Sequence, residues 1–182
     1  MFRFHKPYSD VVARLRVPSG YLIVAVFGWF SHPSRLSLEA GAPIALLGLA
    51  LRAWAAGCLA KNMELAKAGP YAYTRNPLYV GTLVVAAGLS IAARSVFLGG
   101  LFAAVFVLVY LPVIQNEQEH LQRLFPGYAE YSLDVPMLWP RLTPAWKLPN
   151  PFRIALYLKN QEYLAGLGFT AGMLFLVWKL LG

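Results

Sequence analysis

The sequence predicts an all-α fold, a multi-pass bundle of about five transmembrane helices, and three observations predict it. The chain is 58% hydrophobic and only 13% charged, whereas soluble domains carry about a quarter of their residues as charges. Its apolar residues gather into runs close to the length that crosses a bilayer. Its basic residues fall almost entirely on one side of those runs. With 182 residues, several spans leave little chain for a separate soluble module, so one membrane domain over 1–182 is expected.

The first run, Gly20–Phe30, is the shortest. Pro18 and Pro33 bracket 14 residues, about 21 Å of helix at 1.5 Å per residue against a hydrocarbon core of about 30 Å. A start near Val11, with Arg14 and Arg16 snorkelling, makes up the difference. Phe27–Ser31 offers no small-x-small cleavage site, so the segment is expected to be retained. The second run, Ala40–Ala60, holds Cys58 and Arg52. A single cysteine excludes an internal disulfide framework and suits a small buried apolar role. Arg52 is a charge inside a span, which marks a functional group by default, although a long side chain can also snorkel or pair between helices.

Leu78–Ala93 and Ser95–Ile114 are separated by almost nothing, so they must form a tight antiparallel hairpin. Tyr163–Leu181 closes the count as a peripheral helix. Its Gly168-Phe-Thr-Ala-Gly172 has the spacing that permits close helix approach, and the oligomeric state is left open. With the N-terminus inside, twelve basic residues (Arg3, Lys6, Arg14, Arg16, Lys61, Lys67, Arg75, Arg123, Arg141, Lys147, Arg153 and Lys159) lie on the cytoplasmic side. Three, Arg35, Arg94 and Lys179, lie outside. The formal charge of +8 is therefore explained by topology and anionic headgroups of membrane lipids rather than by nucleic acid, for which no aromatic-basic recognition surface is present.

Two polar regions flank the hairpin and meet on one cytoplasmic face. The first contains Gly69-Pro-Tyr71 and Arg75-Asn-Pro-Leu-Tyr79; the second contains Glu117, Leu121, Phe125, Tyr128-Ala-Glu-Tyr131 and Val135-Pro136. In this order, across a helical hairpin, the pair resembles the integral-membrane methyltransferases of the isoprenylcysteine carboxyl methyltransferase and phospholipid N-methyltransferase superfamily. The likeness covers a motif core of about residues 63–140. It implies S-adenosylmethionine as methyl donor, with S-adenosylhomocysteine as product. It also implies donor contacts from Met63, Glu64, Leu65, Ala66, Tyr71, Asn76, Pro77, Leu78, Tyr79 and Glu117, and a lipophilic acceptor held within the membrane.

The residue types suit that chemistry independently. A sulfonium donor is a cation carrying an adenine, and the faces of Tyr71, Tyr73 and Tyr79 offer stacking and cation–π attraction. Glu117 can accept hydrogen bonds from an amino group or ribose hydroxyls, or act as a base toward an amine acceptor. Arg75 can pair with the donor's carboxylate or with an acidic lipid group. Pro77 suits the first turn of the next helix. Tyrosines at an interface also serve as membrane anchors, and Tyr73, Tyr128 and Tyr131 are open to either role. His5, His32 and His120 lack the neighbouring Cys, His or carboxylate pattern of a metal site, and no metal is expected.

The motifs depart from the isoprenylcysteine branch in four respects. Asn76 stands where that branch usually has histidine, Val113 lacks an arginine that the branch associates with its acceptor, Glu117-Gln118 replaces paired glutamates, and the stretch from Phe125 to Tyr128 is one residue short. Asn76 leans toward the phospholipid type, and the departures together leave only a lipophilic acceptor, not a prenylated cysteine, as the expectation. An NADPH-dependent membrane reductase of the sterol-reductase type shares the Asn-Pro-x-Tyr and Val-Pro elements, and a non-enzymatic interaction protein would use the same residues as anchors. Donor binding separates the three.

Overall fold

The computed structural model describes residues 22–146 and 152–182, and these are helical without a strand. A helical segment over residues 22–30 (α1) leads into α2 (Arg35–Gly57), a 3-10 turn (Gly69–Ala72), α3 (Pro77–Ala92) and α4 (Val96–Leu124). Two short helices, α5 (Tyr128–Asp134) and α6 (Ile154–Lys159), precede α7 (Tyr163–Leu181). The basic positions Arg3, Lys6, Arg14, Arg16 and Lys147, and His5, lie outside the described residues.

Local chemistry sets the helix ends. Ser34 caps α2 and exchanges hydrogen bonds with Ser37, which closes the first turn. Pro77 opens α3 at a position where a missing N–H costs nothing. Ser95 accepts from the Leu98 N–H at the start of α4. The turn between them is three residues with Arg94 at φ 51°, so the expected tight hairpin is present. It is sealed against the opposite end of α2, where His32 N–H donates to Ala93 O at 2.8 Å and Ser37 Oγ to Ala92 O at 2.9 Å.

Small residues pack α2 against α3. Gly41, Ala45 and Gly48 are buried on one helix, Gly81, Gly88 and Ala92 on the other. A methyl group at Gly48 would stand 2.7 Å from the Gly81 carbonyl oxygen, and one at Gly88 2.7 Å from the Gly41 oxygen. Backbone therefore meets backbone, which is the packing that small residues allow where lipid supplies no hydrophobic drive between helices.

α4 contains a π-helical turn, Phe106–Tyr110, just before Pro112, and the Leu111 N–H reaches back to Phe106 O. A proline inside a regular helix clashes with the carbonyl four residues earlier, and the wider turn relieves this. The extra residue rotates the polar end of α4 by about 100° relative to its apolar start. The helix runs on past the apolar span to Leu124 and so carries Glu117, Glu119 and His120 on its polar end.

The C-terminal helices close over the same core. Arg153 N–H donates to Gly57 O at 2.8 Å, and the Asn160 amide donates to Ala56 O and Leu59 O, both at 2.9 Å. These bonds satisfy carbonyls left open where α2 ends. α7 buries Leu176 against Ala92, Ala93 and Leu98, and Lys179 Nζ donates to Gly28 O at 2.7 Å.

Three helices, α2, α4 and α7, are long and apolar enough to cross a membrane. The count falls short of the five expected. α3 has 16 residues, about 24 Å of helix against a core of about 30 Å, and Gly20–Phe30 begins outside the described residues. Gly168 and Gly172 meet no neighbour among the described residues, since a methyl at either position has no atom within 4 Å. Cys58 is buried, as its apolar context suggests.

Gly48→Ala should therefore cost about 1–3 kcal/mol through overpacking, whereas Gly100→Ala, with nothing within 4 Å, should cost nothing. Thermal unfolding of the two variants in detergent checks this; equal melting temperatures would remove the seam from the account.

Candidate functional site

The hydrogen bonds of the 3-10 turn and the loop after it tie the two polar motifs together. Arg75 N–H donates to Pro136 O at 2.9 Å, and the Asn76 amide donates to Met137 O at 2.9 Å. Asn76 begins α3 yet makes no capping bond with its side chain, because that side chain is spent on the second motif. Thr74 Oγ1 lies 3.1 Å from Met137 O, and Tyr131 donates its phenol proton to Tyr71 O at 2.8 Å. Arg141 N–H and Ala145 N–H continue the pairing onto Tyr73 O and Ala72 O.

α3 and α4 then bring the side chains within reach of one another. The Tyr79 hydroxyl donates to Glu117 Oε2 at 3.2 Å, and the Tyr79 ring meets Tyr110 edge-on with centroids 6.0 Å apart. Tyr110 in turn stacks on Phe106 across the π turn, at 6.0 Å. The rotation that this turn introduces is what carries Asn116, Glu117 and His120 to the cavity side.

The result is a cavity of about 790 Å³, within the about 300–1,000 Å³ usual for ligand sites. Ten of the twelve residues expected from the sequence line it: Glu64, Leu65, Ala66, Tyr71, Arg75, Asn76, Pro77, Leu78, Tyr79 and Glu117. The other two do not. Met63 is 72% exposed, and Tyr73 packs its ring on Trp54 with centroids 6.5 Å apart. Glu64 reaches the rim and accepts from Arg153 at 3.2 Å.

Tyr128 and Tyr131, which the sequence left between anchor and ligand, are 4% and 2% exposed and line the cavity. They are not interfacial anchors. Burial pushes the phenols of Tyr71, Tyr131 and Tyr128 above the usual tyrosine range, opposed at Tyr128 and Tyr131 by the neighbouring Arg75 guanidinium. All three stay neutral hydrogen-bond donors across physiological pH. Arg75 Nη1 lies 3.5 Å from the Tyr128 hydroxyl, while its Nε is buried with no partner, an orphan donor beside the cavity that calls for an acceptor.

Several lining residues lie outside the two motifs. Arg52 comes from α2, Thr82 from α3, Tyr110 and Val113 from α4, and Asn160 from the segment before α7. Arg52 was legible as an intramembrane charge. It pairs rather than snorkels, with Glu162 at 2.5 Å. Asn160 and Glu162 carried no sequence signal. Among the described residues no three of His, Cys, Asp and Glu gather around a common point fit for a metal ion.

Residues 46–127 match the phospholipid methyltransferase family. A nickel-cobalt-cadmium resistance protein, NccN, of Alcaligenes xylosoxydans xylosoxydans is 39% identical over 83 residues, 46% of this chain and 39% of that protein. A cobalt-zinc-cadmium resistance protein, CzcN, of Cupriavidus metallidurans is 36% identical over 106 residues, 55% of this chain and 49% of that protein. The chain thus spans less than half the length of these curated relatives. No solved structure matches. The matched stretch runs from within α2 to the turn before α5 and holds Tyr71, Arg75, Asn76, Tyr79 and Glu117; most of the cavity lining thus lies in the part of the chain that matches the phospholipid methyltransferase family, of the membrane methyltransferase superfamily that the motifs resemble.

Proposed function

We propose that the chain is a multi-pass membrane enzyme that transfers a methyl group from S-adenosylmethionine to a lipophilic acceptor, with the site on the cytoplasmic side. The observation that carries this is the convergence of both motifs on one cavity, joined by the Tyr79–Glu117 hydrogen bond.

The donor set fits the cofactor's chemistry. The orphaned Arg75 Nε offers a charge-assisted bond to a carboxylate. Neutral phenols at Tyr71, Tyr128 and Tyr131 offer faces to an adenine or a sulfonium without adding charge. Glu117, oriented by Tyr79, would accept from an amino group or ribose hydroxyls. Glu64, Leu65 and Ala66 would close the cavity edge, and Asn76, Pro77 and Leu78 its floor at the start of α3. When bound, S-adenosylmethionine supplies an electrophilic methyl group on its sulfonium.

The protein's share of catalysis is then placement. Holding nucleophile and methyl group in line and keeping water out converts a bimolecular step into a near-unimolecular one. Arg75 and Glu117 are the residues proposed to act on the reactants: Arg75 by fixing an anionic group, Glu117 by fixing a cationic one or by taking a proton from an amine acceptor. The first three motif departures, at Asn76, Val113 and Gln118, leave a carboxylate acceptor of the prenylcysteine kind less supported than an amine.

Calorimetric titration in detergent tests the donor. S-adenosylhomocysteine should bind and NADPH should not; binding of NADPH alone would put the chain with the reductases. Glu117→Gln should weaken S-adenosylhomocysteine about ten- to a hundredfold, as the loss of a charge-assisted hydrogen bond of about 1.5–3 kcal/mol. Glu119→Gln, two residues on and in contact with the exposed Arg123 at 3.6 Å, should change it little. Equal affinity in the two variants would remove Glu117 from the donor site.

Orientation has its own test. In intact cells carrying a Cys58→Ala background, Gly182→Cys should react with an impermeant thiol reagent and Lys159→Cys should not. The reverse pattern would invert the topology.

A further inference from the structure

Three cations stand at the end of the bundle away from the cavity, and methyl transfer makes no use of them. Arg35 opens α2, Arg94 sits in the turn between α3 and α4, and Lys179 lies near the end of α7. They are the basic residues that fall on the charge-poor side of the spans, against the bias that places the others. The segments that meet here are residues 28–39, 90–98 and 175–182, and Glu39 is their one acidic side chain. Among the described residues neither arginine takes part in an ion pair.

Both arginines occupy positions that the backbone disfavours. Arg35 is the first residue of α2, whose first turn holds no acidic residue; the helix dipole presents its positive end there and repels a cation. Arg94 has φ 51°, a left-handed conformation that glycine or asparagine holds at less cost. His32 N–H donates to Ala93 O and Ser37 Oγ to Ala92 O, so the start of α2 and the turn after α3 are fastened side by side. His32, Arg35 and Arg94 are all exposed on that junction. Like charges gathered without a counter-charge repel one another, and an anion from outside the chain relieves the repulsion.

The surroundings identify the kind of anion. Trp29, Phe97 and Trp178 are 80, 55 and 67% exposed, and Phe30 packs on Phe97 with ring centroids 4.6 Å apart. Exposed aromatic rings gathered at the ends of membrane helices sit at headgroup level, where the available anions are lipid phosphates. Beside them lies a hollow of about 690 Å³ between α1 and α7, lined by Ala25, Gly28, Trp29, Phe30, His32 and Lys179. Lys179 Nζ donates to Gly28 O at 2.7 Å and lies 3.4 Å from Trp29 O and Ser31 Oγ. It therefore braces the hollow, and the two arginines are left to meet a ligand. A mostly apolar hollow beside free guanidinium groups fits an amphiphile rather than a free ion.

We propose that His32, Arg35 and Arg94 bind the phosphate of an anionic phospholipid in the leaflet away from the cavity, with the lipid's glycerol and upper chains in the hollow between α1 and α7. The site is separate from the cavity and goes beyond the methyl-transfer reading. Its occupant bridges the start of α2 and the turn after α3, and so steadies one end of the seam between those helices.

The test is equilibrium binding of dioctanoylphosphatidylglycerol and dioctanoylphosphatidylcholine to the protein in a neutral maltoside detergent. The parent should hold the anionic lipid about twentyfold more tightly, and Arg35→Gln and Arg94→Gln should each remove about fivefold of that preference. Arg94→Asn separates ligand from backbone: it suits the left-handed turn, so it should melt no lower than the parent in phosphatidylcholine nanodiscs and still lose about fivefold in phosphatidylglycerol affinity. Arg123→Gln with Lys159→Gln, exposed cations at the cavity end, should leave the preference in place. A parent without the preference, arginine variants that keep it in full, or an equal loss in the cavity-end variant would overturn the proposal. Displacement of the lipid by inorganic phosphate would show a free-anion site and overturn the lipid assignment.

Discussion

The backbone contact between α2 and α3 is the constraint on which the rest of the structure depends. Lipid tails are as apolar as leucine, so helices in a membrane gain from close van der Waals contact rather than from leaving water. Gly41, Ala45 and Gly48 against Gly81, Gly88 and Ala92 provide that contact. It fixes α3 at a set height on α2, and with α3 come Asn76 at its entrance and Tyr79 on its first turn. The same seam leaves room at Gly81 for Arg52 to cross. A residue with a side chain there would separate the helices and displace the arginine at once.

From that base the cavity is assembled by backbone pairing rather than by rigid secondary structure. The loop before α3 carries few regular bonds of its own, and Pro136, Met137, Arg141 and Ala145 supply its partners through long-range bonds. Buried backbone groups must be satisfied, so the two motifs are each other's completion: neither loop would hold its shape alone. The π turn before Pro112 adds the last adjustment by rotating Glu117 onto Tyr79. π turns inside helices recur at functional sites, and here the local cause is a proline and the local consequence is the placement of a carboxylate.

Much of this was legible in the residues. Gly69-Pro-Tyr71, Arg75-Asn-Pro-Leu-Tyr79 and Glu117 drew attention because polar and rigid groups beside apolar spans need a reason, and all of these but Gly69 and Pro70 line the cavity. The hairpin followed from spans with almost no chain between them. Met63 and Tyr73 do not line the cavity, because the motif gives chain proximity, whereas exposure and the ring contact with Trp54 are decided by the turn. Arg52 could not be resolved, since its partner Glu162 is 110 residues away and sequence spacing says nothing at that range. The Gly41, Ala45, Gly48 seam is a helical repeat of small residues, as is Gly168 with Gly172, and spacing alone does not say which of them meets a neighbouring helix; among the described residues only the first does. Of the five expected spans three are long and apolar enough among the described residues, because α3 is apolar but short and the first run begins outside them.

The central claim is that the cavity between the two motifs moves a methyl group onto a lipophilic molecule. The most direct measurement supplies S-[methyl-³H]adenosylmethionine and a lipid extract of the host membrane to the purified protein in detergent and follows the label. The account predicts radioactivity that partitions into the organic phase with time and enzyme, is abolished by Glu117→Gln and reduced by Tyr79→Phe. Label that remains wholly in the aqueous phase while S-adenosylmethionine binds, or transfer that proceeds unchanged in both variants, would contradict it.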